Sequence, residues 1–196
     1  MIKIVLASNN NHKVKEFERI LGNTNIELIP QRKLGIPEIP ETGLTFLENS
    51  ILKARNASLL ANMPAIADAS GIEVDALSGR PGIYSARYAG ENCNDSANNQ
   101  LLLKELSGTP YKERTARYRC VIVYLESYDH PTPKIFDASW EGLIGTKEIG
   151  NNGFGYDPLF YVPEHSCTAA ELSEKQKNAI SHRGKALKEF QKKFIA

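Results

Sequence analysis

Residues 1–22 read MIKIVLASNNNHKVKEFERILG, and this stretch decides the fold class. Ile2 to Ala7 is an apolar, β-prone run. Polar Ser8 to Lys13 (SNNNHK) follows at once. Val14, Phe17, Ile20 and Leu21 then recur at helical spacing until Gly22 stops the pattern. Strand, polar loop and helix in this order open an α/β protein. The apolar start is too short for a signal h-region or a membrane span, so it reads as a buried first strand.

Working outward, Ile26 to Ile29 suggests a second strand. Thr45 with Glu48 forms a capping-box signature ahead of the helix FLENSILKARNASLL. AIAD (65–68) is a short strand, which IEVDAL (72–77) continues past a Ser70-Gly71 turn. GRPGIYSARYAGE (79–91) carries the punctuation of an exposed functional loop. Asp95 caps a helix through Leu106. Ala116 to Leu125 is a long strand, and the segment from Pro133 to Ile149 returns beside it. The loop GNNGFGYDP (150–158) leads into the strand LFYV. Thr168 with Glu171 caps a first carboxy-terminal helix, and KNAISHRGKALKEFQKKF is helical to the end. The expectation is α/β: an elongated mixed β-sheet with flanking helices, in two lobes around a central cleft, forming a single domain over 1–196.

The 196 residues suffice for one ample core, and 41% hydrophobic with 24% charged residues is the balance of an ordinary globular protein. A formal net charge of +1 gives no bulk field for a nucleic acid or a membrane surface. Cys93, Cys120 and Cys167 are scattered and form no CxxC. Neither a disulfide framework nor a zinc site follows, and a reducing, cytoplasmic compartment does.

Five clusters can carry chemistry. In SNNNHK, backbone amides at a helix start, a hydroxyl and Lys13 suit a phosphate; an Asn-rich turn with a capping Ser or Asn explains the same residues. Glu41 lies in a loop, where a lone carboxylate is usually solvated. Lys53 shares a helix face with apolar neighbours, either snorkelling or functional. Asp68 at a strand end, two residues from Ser70, has the oxygen-ligand setting of a magnesium ion. Glu73 and Asp75 mark a wet strand face, and Arg87 beside two tyrosines can pair with a carboxylate across a subunit contact. In GNNGFGYD the glycines allow close approach, while Phe154 and Tyr156 offer stacking faces. Lys177, His182 and Arg183 form a basic set near Ser181, which as a helix face can equally be solvated. His12, His130 and His165 show no metal-ligand spacing.

Together LASNNNHKVKEF, ETGLTFLENSILKA, ADASGIEVDAL with GRPGIYSARYAGE, GFGYDPLF and AISHRGKAL resemble the inosine/xanthosine triphosphate pyrophosphatases, the bacterial branch acting on dITP, ITP and XTP. The motifs stand in family order over nearly the whole chain. The resemblance implies a homodimer and a magnesium-dependent reaction in which water attacks the α-phosphorus, giving a nucleoside monophosphate and pyrophosphate. It implies that Lys13, Lys53, Lys177 and the amides of Ser8, Asn9, Asn10, Asn11, His12 and Lys13 clamp the triphosphate. Glu41 and Asp68 would hold the metal, and Ser70 would touch the substrate. Phe154 would stack on the purine, with its edge read by the backbone of Gly155, Tyr156 and Asp157 and by His182 and Arg183. The partners are then a purine nucleotide and a second subunit, with no nucleic acid and no membrane.

One departure stands out. The family reads Ala-Asp-Asp-Ser-Gly, its second aspartate accepting a proton from the attacking water beside the metal. Here that position, catalytic and metal-binding in the family, is Ala69. The resemblance thus implies an intact nucleotide pocket with the reaction nearly lost. A non-catalytic purine-nucleotide binder, or a related house-cleaning pyrophosphatase of other base preference, are the competing readings.

Overall fold

The computed structural model describes residues 1–194. Strand β1 (Ile2–Leu6) leads into helix α1 (Asn11–Leu21), which buries Val14, Phe17 and Leu21. The Asn10 side chain caps this helix by accepting from the amides of His12 and Lys13. Strand β2 (Ile26–Pro30) pairs in parallel with β1, and β1 in parallel with β3 (Ala65–Val74). Helix α2 (Phe46–Ala61) starts at the expected Thr45 cap, whose Oγ1 accepts from the Glu48 amide. The Glu48 carboxylate accepts from the Leu44 amide and the Thr45 hydroxyl rather than from the Thr45 amide of a full capping box.

Helix α3 (Asp95–Glu105) and strands β4 (Thr115–Leu125), β5 (Lys134–Ile144), β6 (Phe160–Val162) and β7 (Cys167–Thr168) follow, then helices α4 (Glu174–Ile180) and α5 (His182–Phe194). The strands form one seven-stranded sheet in the order β2-β1-β3-β4-β5-β6-β7. Its first pairings are parallel and its last antiparallel, the mixed α/β sheet expected from the opening residues.

Four details differ from the sequence reading. Strand β3 runs unbroken through Ser70 and Gly71, where a turn was expected. Asn94, not Asp95, caps α3, and Asp95 becomes its first helical residue. The Thr168–Glu171 box is present but starts only one tight turn, Ala169–Glu171, because Leu172 is extended. The carboxy-terminal helix breaks at Ser181, whose extended backbone (φ −68°, ψ 161°) separates α4 from α5.

The chain divides into two compact units. The first comprises residues 1–69, 120–138 and the chain from Arg183 onward; the second comprises 70–119 and 139–182. In the first unit, Ile4, Leu6, Ile66 and Ile122 meet Phe17 and Phe190 of α1 and α5, while Val5, Ala65, Ala67 and Val123 meet Ala54 and Ala57 of α2. A sheet covered on both faces explains the near-continuous apolar reading of its strands. The alanine seam lets α2 approach β3 closely, and Ser50 Oγ donates to the Ala67 carbonyl at 3.0 Å. The second unit has its own core around Ile72, Leu102, Tyr118, Trp140, Phe160 and Leu172. Each fully buried side chain of this kind contributes roughly 1.5–3 kcal/mol.

Candidate functional site

Side chains of a strand alternate between its two faces. In the first part of β3 one face carries Ile66 and Asp68, toward α1 and α5. The other carries Ala65, Ala67 and Ala69, toward α2. Asp68 has no exposed side-chain surface. Its Oδ2 accepts from Arg183 Nε and Nη2 at 3.2 and 3.0 Å and lies 3.1 Å from Lys13 Nζ. Arg183, also buried, pairs with Glu16 of α1 as well. Burial works against the charge on Arg183, but Asp68 and Glu16 outweigh it and hold the guanidinium protonated. Lys13 balances the other way. Burial, helped by neighbouring Lys53 and Arg183, lowers its ammonium pKa despite Asp68 and Glu41.

On the opposite face, Lys53 Nζ donates to Glu41 Oε1 at 2.5 Å and to the Asp68 carbonyl at 2.6 Å. The loop holding Glu41 is fixed in turn by Asn49 of α2, which is buried. Its Oδ1 accepts from the Gly43 amide at 2.7 Å and its Nδ2 donates to the Gly43 carbonyl at 3.3 Å. Three cations, Lys13, Lys53 and Arg183, therefore face three carboxylates, Glu16, Glu41 and Asp68.

The second unit holds a different constellation. The Asp157 carboxylate is buried under the glycine loop: Oδ2 accepts from the Phe154 amide at 3.0 Å and from Lys177 Nζ at 2.6 Å, and Oδ1 from the Tyr118 hydroxyl at 3.1 Å. Lys177 Nζ also stands 4.7 Å from the Phe154 ring centroid. Tyr118 stacks on His182, centroids 4.7 Å apart and planes 8° off parallel. Burial first, then Asp157, pushes the Tyr118 hydroxyl well above its ordinary pKa, so it remains a donor. A β-carbon on Gly153 would lie 2.0 Å from Asp157 Oδ2, and its φ of +74° is left-handed, so only glycine fits.

Several residues stand elsewhere than expected. Among the amides of 8–13, those of His12 and Lys13 are taken by the Asn10 cap, Ser8 donates to the Leu6 carbonyl, Asn9 to Glu38 and Asn10 to Ser8 Oγ. The capping reading of this loop holds, and a capped helix has few amides left for a ligand. Asn11 Oδ1 accepts from Arg32. Lys177 belongs to the second unit, where it pairs with Asp157, whereas Lys13 and Lys53 belong to the first. The break at Ser181 parts His182, in the second unit, from Arg183, in the first. Ser70 opens the second unit's share of β3. The Gly155 and Asp157 amides, expected on a base edge, donate to Asp95 Oδ2 and the Phe154 carbonyl instead.

Glu16, Asn49, Asn99 and Tyr118 were not singled out from the sequence, and Asp95 was read only as a helix cap. Glu16 is the one with a legible signal, a carboxylate adjoining the Val14–Phe17 stripe that α1 buries.

The profile of the Ham1 family matches residues 4–193. A dITP/XTP pyrophosphatase of Thioalkalivibrio sulfidiphilus is 54% identical over 187 residues, covering 95% of each chain. A dITP/XTP pyrophosphatase of Photorhabdus laumondii is 52% identical over 188 residues, 96% of this chain and 95% of its own. The solved structure of a HAM1 protein from Coxiella burnetii superposes with a TM-score of 0.93 at 46% identity, covering 100% of this chain and 99% of that one.

Proposed function

The chain belongs to the Ham1 family, and on that premise we propose that it is a nucleoside triphosphate pyrophosphohydrolase acting on dITP, ITP and XTP. It would hydrolyse these noncanonical purine nucleotides to the monophosphate and pyrophosphate and so keep them out of DNA and RNA. The observation that carries the reading is Lys53, which ties Glu41 to the backbone of β3 immediately before position 69, beside the buried Lys13–Asp68–Arg183 group. Phosphoryl chemistry asks mainly for such positioned charge.

In this reading one group of residues takes the triphosphate. Lys13 and Lys53 bind its oxygens, Arg183 keeps Asp68 in place, and the Ser8–His12 turn with Ser70 borders the substrate. Another group takes the base. Phe154 stacks on the purine, and Tyr156, Asp157, Lys177 and His182 shape its surroundings. Hypoxanthine and xanthine carry a carbonyl at C6, where adenine carries an amino group. A donor such as Lys177 would meet that amino group unpaired, at roughly 1–3 kcal/mol per buried group left unsatisfied.

Magnesium is the implied metal. No group of three His, Cys, Asp or Glu side chains that could hold an ion occurs among the described residues. Magnesium usually takes one or two carboxylates and fills its shell with phosphate oxygens and water, and Glu41 suits that habit. The Asp68 carboxylate, expected beside it, instead lies buried on the other face of β3 with Arg183 and Lys13. Strand alternation would aim an aspartate at 69 toward Lys53 and Glu41 as a further ligand. Bound there, the ion supplies neutralisation of phosphate charge.

An aspartate at 69 would also accept the proton of the attacking water, which Ala69 cannot do. Losing a positioned base costs about 10²–10⁴ in rate, so this chain binds its substrate and turns it over slowly. We take residues 1–196 to act as one domain, as a homodimer in the cytoplasm. The half-exposed Tyr84, with Arg87 5.1 Å over its ring, offers a subunit contact, and no disulfide joins the three cysteines. Sedimentation of the purified chain checks the dimer.

The deciding experiment is pyrophosphate release from dITP, with dATP as control, in the chain and in Ala69→Asp. A gain of about 10²–10⁴ for dITP is expected in the variant. An ordinary enzyme rate in the chain as it stands would refute the role of position 69. Tight dITP binding with no gain on restoring the aspartate would favour a nucleotide-binding protein, the reading for which Ala69 itself speaks.

A further inference from the structure

Gly155 is gripped from both sides by one helix. Its amide donates to Asp95 Oδ2 at 2.6 Å, and its carbonyl accepts from Asn99 Nδ2 at 3.2 Å. Asp95 and Asn99 stand one helical turn apart on α3, so both side chains project from the same face. The amide belongs to the Phe154–Gly155 peptide and the carbonyl to the Gly155–Tyr156 peptide. Both peptide planes flanking Gly155, one of them shared with Phe154, are thereby fixed, at a residue whose φ of +64° places it in the left-handed region. Asp157 holds the Phe154 amide from below.

Stability alone explains this arrangement poorly. Asn99 is 2% exposed and its Oδ1 has no hydrogen-bond partner among the described residues, a cost that an apolar side chain would avoid. Asp95 is not needed to cap the helix, because Asn94 does so by accepting from the Ala97 amide at 2.9 Å. Asp95 and Asn99 both direct hydrogen-bonding groups to the residue that follows the proposed stacking ring.

We propose that Asp95 and Asn99 are positioning residues for base selection: through Gly155 they hold Phe154 in the orientation that stacks on hypoxanthine. The inference rests on the reading of Phe154 as the base platform. Without the clamp the ring samples more orientations, and the entropy of fixing it falls on the binding step. The loss therefore appears in affinity for the nucleotide and in preference for inosine over adenosine, with little change in catalytic steps.

The test is calorimetric binding of dITP and dATP to the full chain and to Phe154→Ala, Asp95→Ala, Asp95→Asn, Asn99→Leu and the Asp95→Ala/Phe154→Ala pair. Asp95→Ala and Asn99→Leu are expected to weaken dITP about tenfold, the worth of one hydrogen bond, and to narrow the preference over dATP. Asp95→Asn, whose amide oxygen still accepts, recovers most of the loss. On the Phe154→Ala background the Asp95→Ala change adds less than about twofold, since the ring it served is gone. If Phe154→Ala alone weakens dITP while Asp95→Ala does not, the clamp is refuted and the platform stands. If Phe154→Ala binds like the parent, the platform is refuted and the clamp with it. Equal Asp95→Ala losses on both backgrounds would mean a general structural role and overturn the proposal. Asp95 is exposed, so its variants decide the matter even if Asn99→Leu fails to fold.

Discussion

Asp68 shows how much one residue can be asked to hold. Its carboxylate has no exposed surface, and Oδ2 serves two guanidinium nitrogens and the Lys13 ammonium. Replacing it by asparagine keeps the volume and removes the charge, leaving the Arg183–Glu16 pair without its second carboxylate. Breaking a buried pair by removing one partner typically costs about 3–5 kcal/mol, because the remaining charge stays desolvated. Asp68→Asn should therefore lower the unfolding free energy by that order, read from urea melts, whereas surface changes such as Lys192→Gln should leave it near the parent. An Asp68→Asn protein as stable as the parent would mean that the network contributes little. Sequence placed Asp68 at a metal; the structure adds a second face to the strand. Two adjacent residues of β3 point to opposite sides, so Asp68 belongs with Arg183 while position 69 belongs with Lys53. Periodicity alone held that distinction, but only once β3 was known to run straight through Ser70.

Among the elements, α2 and α3 share a device. Each uses a buried asparagine to hold a glycine in a neighbouring loop: Asn49 grips both peptide groups of Gly43, and Asn99, aided by Asp95, grips those of Gly155. Glu41 rides on the first loop and Phe154 on the second. Asn49→Leu should leave the Gly43 amide and carbonyl unpaired. The expected loss is about 1–3 kcal/mol, seen as a lower Tm, together with weaker magnesium-dependent binding of dITP as the Glu41 loop loosens. A variant with parent Tm and parent metal dependence would show that the loop holds its shape alone. Gly43 itself leaves no room for a side chain, since a β-carbon would lie 2.6 Å from that of Glu48. Such clamps were not legible in the sequence. Asparagine in a helix reads as a solvated or weak position, and only the loops packed beside it reveal what its amide does. The capping signatures at Thr45 and the strand–loop–helix of residues 1–22 were legible, because their partners lie within four residues. The break at Ser181 was not: a polar residue with basic neighbours carries no local stop signal, yet it sends His182 and Arg183 to different units.

For the molecule as a whole, the balance of charge is what the proposed chemistry must work with. The formal net charge is +1, and the three cations of the first unit are matched by three carboxylates. A triphosphate brings about four negative charges to such a neutral group, so each ammonium counts, and the proposed divalent ion would offset about half of them. Sequence totals exclude a bulk basic field but say nothing of this local balance, because Glu16 and Arg183 lie far apart in the chain. Lys13 is a weakened cation. Burial foremost, then Lys53 and Arg183, lowers its pKa below the ordinary lysine value. As pH rises toward that lowered value, the free protein loses the Lys13 proton while a bound polyanion would hold it in place. Binding then takes up a proton, and affinity falls with pH, at a limit of about tenfold per pH unit for one proton. The dissociation constant for dITP with magnesium, measured from about pH 7 to pH 10, should therefore rise at the alkaline end. Calorimetry in buffers of different ionisation enthalpy should register the uptake. Lys13→Arg keeps its charge over that range and should flatten the profile. An equally steep alkaline loss in Lys13→Arg, or none in the parent, would remove Lys13 from the triphosphate site.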